Sequence, residues 1–333
     1  MGGTMTASRR LVLRLVTFTC TGALLTLPGC STSLPRRGTP APGTYVQTTP
    51  LRYRLSARTY LVHIPLGYDQ QKAWPLVLVL HGAFATARSI EERSGFSALA
   101  DHEGFVVYPN GIGLFGSLQH WNAGHCCGLA QVDHVDDVGF LRYVIRDVAS
   151  KIRIDPRRIY VAGHSNGAML AYRFASEDCE QIAGVAVVAG TIGSSKSPQE
   201  ATCTVGPPRT PVPLIAVHGR EDESVPFTGG PGLHGGPRRY VSVPDSVERW
   251  AQYCGCLPGP EVCDDPLGNR RTLTWHDEKG NSVVVLHVLD HWKHVWPGTT
   301  VTGRLPEDHP LRTFEAAQVI WDFFRTQTLF ASR

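Results

Sequence analysis

Val161-Ala162-Gly163-His164-Ser165-Asn166-Gly167-Ala168 is the stretch from which the rest of the chain is read. Arg158 to Ala162 is an apolar strand, and Gly167 to Ser176 carries the spacing of an amphipathic helix. A G-x-S-x-G motif between a strand and a helix predicts a sharp turn. Gly163 and Gly167 clear space around it, and the Ser165 hydroxyl is lifted above the sheet edge. The N-terminus of the following helix favours negative charge developing there. The motif alone recurs in loops by chance; in this setting it marks Ser165 as a nucleophile.

Further strands and helices fall into place on both sides. Tyr60 to Ile64 alternates, Leu76 to Leu80 is a continuous apolar run, and Gly104 to Tyr108 is closed by Pro109-Asn110-Gly111. Asp136 to Ile152 has helical spacing, with Asp136 or Asp137 as its cap. Ile182 to Ala189, Pro213 to Val217 and Val283 to Leu289 read as strands, the last as the final central one. Tyr240 to Tyr253 and Leu311 to Thr326 read as helices. Strands alternating with helices predict an α/β protein whose mainly parallel sheet is covered on both faces.

A nucleophile in this setting needs an oxyanion hole, an acid and a base. Leu80-His81-Gly82-Ala83-Phe84 ends the earlier buried strand, and there Ala83 is assigned as a backbone donor, with Phe84 as second choice. The N–H of Asn166 is the other donor. The acid follows the nucleophile in the chain and the His comes last. Asp222, a few residues past the strand ending at Val217, is favoured over its neighbours Glu221 and Glu223. His294, in the loop beyond the last central strand, is favoured as base over His291 and over His287, which lies within the strand pattern.

The N-terminal segment and the composition bear on the compartment. Ser8-Arg9-Arg10, the mostly apolar Leu11 to Leu27 and Leu27-Pro28-Gly29-Cys30 have the order of an export signal over residues 1–29. The last four resemble a bacterial lipobox, which implies a lipid anchor on Cys30; a freely secreted protein is the alternative. Residues 30–44, rich in Ser, Thr, Pro and Gly, are expected to be a flexible tether, with one catalytic domain over 45–333. The 333 residues are 42% apolar, enough for a large core, with 32 basic and 29 acidic side chains. Three of the basic residues lie in the signal, leaving 29 of each sign, so no basic body exists for nucleic acid.

Seven cysteines remain after Cys20 and Cys30, and export predicts disulfides among them. A local bond from Cys263 to Cys254 or Cys256 is expected, with Cys179 and Cys203 in reach of Cys126, Cys127 or the remaining member of the trio. His120, His125, Cys126, Cys127 and His134 lie close together, but adjacent cysteines rarely ligate one zinc, so no metal and no cofactor are expected.

With these motifs in order the chain resembles the exported esterases of the polyhydroxybutyrate-depolymerase-like family, near the feruloyl esterases of carbohydrate esterase family one. The matching pieces are Leu80-His81-Gly82, Trp121-Asn122-Ala123, Cys126-Cys127-Gly128, Val135-Asp136-Asp137-Val138, Gly163 to Gly167, His218-Gly219 through Asp222, and His294-Val295-Trp296-Pro297-Gly298. Family members often carry two glycines before that His, where this chain has Trp292-Lys293. The resemblance implies an α/β-hydrolase fold, no metal, and hydrolysis of a polyester or aryl ester. Two other readings stay open: a feruloyl or acetylxylan-type esterase, and a non-catalytic or acyltransferase lipoprotein of the cell envelope.

Overall fold

Fourteen strands and seven α-helices build the described part of the chain, with one 3-10 turn at Cys179–Gln181. The computed structural model describes residues 33–34, 40–113, 116–233, 236–298, 305–307, 309 and 311–329. The signal and Cys30 lie outside these residues. The strands are β1 Gly43–Tyr53, β2 Ser56–Ile64, β3 Trp74–Leu80, β4 Phe105–Pro109, β5 Ile154–His164, β6 Gly184–Val188 and β7 Gly193–Ser195. They continue with β8 Cys203–Thr204, β9 Leu214–Gly219, β10 Gly230–Pro231, β11 Arg239–Tyr240, β12 Glu261–Asp264, β13 Arg270–His276 and β14 Ser282–Leu289. The helices are α1 Ala87–Ser94, α2 Phe96–Glu103, α3 Gly128–Val132, α4 Asp137–Ala149, α5 Asn166–Glu177, α6 Val243–Tyr253 and α7 Ala316–Phe324.

Ten strands form one sheet in the order β1-β2-β4-β3-β5-β6-β9-β14-β13-β12. From β4 to β14 every pairing is parallel. An antiparallel pair closes each edge: β1 with β2, and β13 with β12. The parallel strands are apolar throughout because both of their faces are buried. In β3, Leu76, Leu78 and Leu80 join the layer of α4, α5 and α6, whereas Val77 and Val79 join that of α1, α2 and α7. This is the α/β-hydrolase fold, with the strand ends of β3, β5, β9 and β14 delivering their loops to one edge of the sheet.

Several boundaries differ from those read in the sequence. β1 starts at Gly43, inside the stretch expected to be a tether, and Leu34 and Pro40 are also buried. Polar composition hid their apolar contacts. Asp136, not Asp137, caps α4 by accepting from the Gly139 N–H at 2.8 Å. Asp137 is instead buried, ion-paired with Arg58 at 2.7 Å. The helix expected from Leu311 begins at Ala316, because Leu311 and Phe314 reach the apolar layer from a turn. The helix expected from Tyr240 begins at Val243, where Ser242 caps it, and Tyr240 belongs to β11. A small second sheet, β10-β11-β7-β8, was not foreseen, since its strands are only two or three residues long.

The expected disulfides are also corrected. Cys126 and Cys127 bond to each other, which removes both from reach of Cys179 and Cys203. Cys254 and Cys263 are both free thiols: Cys254 is turned into the core, donating to Val212 O, while Cys263 is exposed on edge strand β12. Cys256 is free as well.

Candidate active site

Ser165 sits between β5 and α5 with φ 54° and ψ −120°. A non-glycine residue in this region costs about 1–3 kcal/mol, and such strain is kept where the surroundings enforce it. They do so here. A Cβ on Gly163 would lie 2.3 Å from Gly167 O, and one on Gly167 would lie 2.5 Å from both Leu80 O and His81 O. The Ser165 N–H is fixed on Val188 O at 2.8 Å, at the end of neighbouring β6.

The three residues singled out for acyl transfer are brought together although 57 and 129 positions separate Asp222 and His294 from Ser165 in the chain. His294 Nε2 lies 2.8 Å from Ser165 Oγ, and His294 Nδ1 lies 2.7 Å from Asp222 Oδ2. Asp222 is 3% exposed. Its Oδ1 accepts from the N–H groups of Ser224 and Val225, at 2.9 and 2.8 Å. His218 Nε2 stands 3.3 Å from Oδ2 and 2.9 Å from Val225 O. Burial alone would raise the Asp222 pKa, but hydrogen bonds from His218 and His294 hold it well below the usual carboxylate range.

Acid loop and base loop are sewn together by their backbones. Arg220 N–H donates to Leu289 O at 2.9 Å, and Glu221 N–H to Trp292 O at 3.1 Å. The Trp292 indole N–H reaches over to Val295 O at 2.8 Å, and the residue is buried. A bulky side chain thus shapes the loop on which the resemblance leads one to expect glycines. Behind His294 the ring of His164 packs at 5.1 Å between centroids. Burial, and then the nearby His294, push the His164 pKa down to about 3, so it remains neutral.

On the opposite side Asn166 holds the Trp121 backbone at both ends. Its Oδ1 accepts from Trp121 N–H at 2.7 Å and its Nδ2 donates to Trp121 O at 3.0 Å. Trp121 in turn donates its indole N–H to His81 O at 2.9 Å. The turn after β3, the segment around Trp121 and the first turn of α5 are therefore joined by side-chain hydrogen bonds. Gly82 lies against Ser165, close enough that an added Cβ would stand 3.2 Å from the serine Cβ. The Phe84 N–H is committed to Gln119 O at 2.8 Å.

The other candidates are placed elsewhere. His291 is exposed and bonded to Glu221 at 2.9 Å, outside the line to Ser165. His287 faces Thr272 in the neighbouring strand at 2.9 Å. His125 bonds to Ser194 at 3.1 Å and His120 packs edge-on against Phe84. Among the described residues no group of three or more His, Cys, Asp or Glu is gathered as metal ligands. The sequence signals missed the side-chain role of Asn166 and the position of His218, whose neighbourhood was recognised only as a motif.

Comparison with known proteins gives a consistent result. The family described as "Esterase PHB depolymerase" matches residues 58–225. The NocK protein of Nocardia uniformis subsp. tsuyamanensis, named as an esterase, is 30% identical over 267 residues, covering 76% of this chain and 72% of its own. Feruloyl esterase B of Piromyces equi is 30% identical over 208 residues, 61% of this chain and 37% of that protein. Among solved structures the acetyl xylan esterase from Aspergillus awamori shares the fold, with a TM-score of 0.52 at 15% identity over 72% of this chain and 90% of that one.

Proposed function

The chain belongs to the esterase family described as PHB depolymerase and is a carboxylic ester hydrolase, and on that premise we propose that it is an exported serine esterase cleaving a polyester such as polyhydroxybutyrate or its oligomers. The observation that carries the mechanism is the unbroken hydrogen-bonded line Asp222–His294–Ser165 at the start of α5. Ser165 Oγ attacks the ester carbonyl while His294 Nε2 takes its proton. Asp222 fixes the Nδ1–H tautomer and stabilises the imidazolium. The oxyanion is held by the N–H groups of Ala83 and Asn166, the Phe84 N–H being engaged by Gln119 O. The imidazolium gives its proton to the departing alkoxide. Water, activated by the same His, then releases the acid from the acyl-enzyme.

The polyester reading is supported by exposed apolar side chains on the segments that carry the site. Phe84, Leu118, Leu233 and Val295 are exposed, Phe84 by 65%, and none carries charge. Phe84 follows Ala83, Leu118 precedes the Gln119 that binds Phe84, Leu233 donates its N–H to Glu223 O beside Asp222, and Val295 follows His294. An uncharged aliphatic chain suits such side chains. The feruloyl-type alternative is favoured by the name of the Piromyces equi relative. Parallel kcat/KM values for 3-hydroxybutyrate oligomers, feruloyl esters and short p-nitrophenyl esters test the choice. The oligomers should lead the feruloyl esters by tenfold or more, on the order expected when a pocket fits one acid better than another. The reverse order would overturn the polyester reading. Export with a lipid on Cys30 would place the enzyme at the cell membrane. Mass measurement of the mature N-terminus tests this, and an unmodified terminus beyond Cys30 would contradict it.

A further inference from the structure

The carboxylate of Asp222 meets two imidazoles, and the second has no part in the mechanism given above. His218 is the penultimate residue of β9 and is 2% exposed. Its Nε2 stands 2.9 Å from Val225 O and 3.3 Å from Asp222 Oδ2. A carbonyl oxygen only accepts, so this nitrogen carries a proton and shares it between the carbonyl and the carboxylate. Val225 is thereby held at both of its backbone groups, since its N–H donates to Asp222 Oδ1 at 2.8 Å. The acid loop closes as a ring: Oδ1 to the Val225 N–H, Val225 O to His218, and His218 back to Oδ2. The ring is anchored in the sheet, where His218 pairs with Val288 of β14, the strand that leads into the His294 loop.

Each oxygen of Asp222 then faces two N–H groups: those of Ser224 and Val225 at Oδ1, and those of His294 and His218 at Oδ2. This uses the acceptor capacity of a carboxylate. Burial pushes the Asp222 pKa up, and the hydrogen bonds from His218 and then His294 more than reverse it. The other titratable groups around the pair are His164, kept neutral by burial, and Tyr240, whose phenol burial pushes up. The Phe227 ring packs against His218 at 6.2 Å between centroids and carries Arg220 on its face, itself paired with Asp290.

We propose that His218 is a positioning residue for the reaction, acting through Asp222: it holds Oδ2 on His294 Nδ1 and keeps the carboxylate from over-stabilising the imidazolium that must hand its proton to the leaving alcohol. This rests on the Asp222–His294–Ser165 mechanism, whatever the acyl group. The step concerned is collapse of the tetrahedral intermediate during acylation. The bond from carbon to the alcohol oxygen breaks and its electron pair stays on that oxygen. The oxyanion re-forms the carbonyl, and the Nε2 proton of His294 moves to the leaving oxygen. An alkoxide needs that proton, whereas p-nitrophenolate leaves without it. A carboxylate deprived of the His218 N–H would grip the imidazolium more tightly and slow the first departure far more than the second.

The test compares the ethyl and p-nitrophenyl esters of one short acid. His218→Leu removes the N–H, and His218→Gln keeps an amide N–H near the place of Nε2. The readout is kcat/KM, which reports acylation, taken across the pH range and expressed per site titrated with a fluorophosphonate. In His218→Leu the ethyl ester should lose about tenfold to a hundredfold, as expected for a lost hydrogen bond to a charged group. The p-nitrophenyl ester should lose at most about threefold, and the acid limb of the profile should move up by about half a pH unit to one unit. His218→Gln should recover most of the ethyl-ester rate. Equal losses on the two esters, or an unmoved acid limb, would overturn the proposal, because a merely structural lesion lowers both esters alike. If His218→Leu yields no titratable site, His218→Asn, whose shorter amide falls short of Oδ2, takes its place under the same criteria. Full activity of His294→Ala in these assays would instead remove the mechanism, and the proposal with it.

Discussion

Two carboxylate–imidazole pairs lie side by side on the same two loops. Asp222 and His294 meet at 2.7 Å, and Glu221 and His291 at 2.9 Å. In chemistry and distance they hardly differ. The side chain of Asp222 is fully buried and that of His294 is 21% exposed, against 48% and 72% for Glu221 and His291. Asp222 also has the Ser224 and Val225 N–H groups and His218 around it, and His294 has Ser165 on its far nitrogen. The comparison teaches that a carboxylate–imidazole pair is fitted for proton transfer by what surrounds it, and on the proposed mechanism only the inner pair is so fitted. Donors fix the carboxylate, a low dielectric strengthens its hold on the ring, and the second nitrogen finds a reacting group.

The largest effect should separate the two histidines. His294→Ala should lower kcat by about 10⁴ or more, whereas His291→Ala should stay within about twofold of wild type. Steady-state assays on one neutral ester compare them directly; comparable losses would break the distinction. Asp222→Asn should cost about 10³–10⁴ in kcat with KM little changed, because the amide favours the wrong tautomer of His294. A loss below tenfold would mean that Glu221 substitutes for Asp222.

An intermediate effect concerns acid stability. Burial pushes the pKa values of His81 and His287 down to about 4 and those of His125 and His164 down to about 3. Unfolded, these rings take up protons near pH 6.5; folded, they stay neutral until the pH is much lower. The stability they contribute is complete above about pH 6.5 and lost progressively as the pH falls towards 4 and 3, each site accounting for about 2 kcal/mol at pH 5. The urea midpoint should therefore drop between pH 7 and pH 5. Replacing His287 by Gln should flatten the slope, and an unchanged slope would show that its ring is protonated in the fold. Glu221→Gln should have the smallest effect, within about 0.5 kcal/mol in stability, as for other exposed pairs. A clear change in the pH–rate profile of that variant would join the outer pair to the inner one.

How far the sequence reveals this site depends on where each signal resides. Ser165 is legible because a strand, a turn and a helix are adjacent in the chain and the glycines punctuate them. Asp222 and His294 follow from chain order and from lying just beyond apolar strands. The clamp of Asn166 on Trp121 joins residues 45 apart, and no local pattern announces it. The same holds for the ion pair of Arg58 with Asp137, whose carboxylate was read as a possible cap. The parallel strands announce themselves by continuous apolar runs. β12 has all four residues exposed and the second sheet has strands of two or three residues, so burial leaves no period to read. The thiols do not pair as their spacing suggests, because closeness in sequence says nothing about direction: Cys254 is buried and Cys263 is exposed.

The central claim is that Ser165 is the nucleophile and that His294, not its neighbour His291, activates it. Labelling with a fluorophosphonate followed by peptide mass analysis tests both halves at once. The wild-type enzyme and His291→Ala should take up one phosphonyl group, on the peptide containing Ser165, at similar rates and with parallel loss of esterase activity. His294→Ala should be labelled slower by orders of magnitude. A label on another residue accompanying full inactivation, or equal rates in His294→Ala and wild type, would contradict the account.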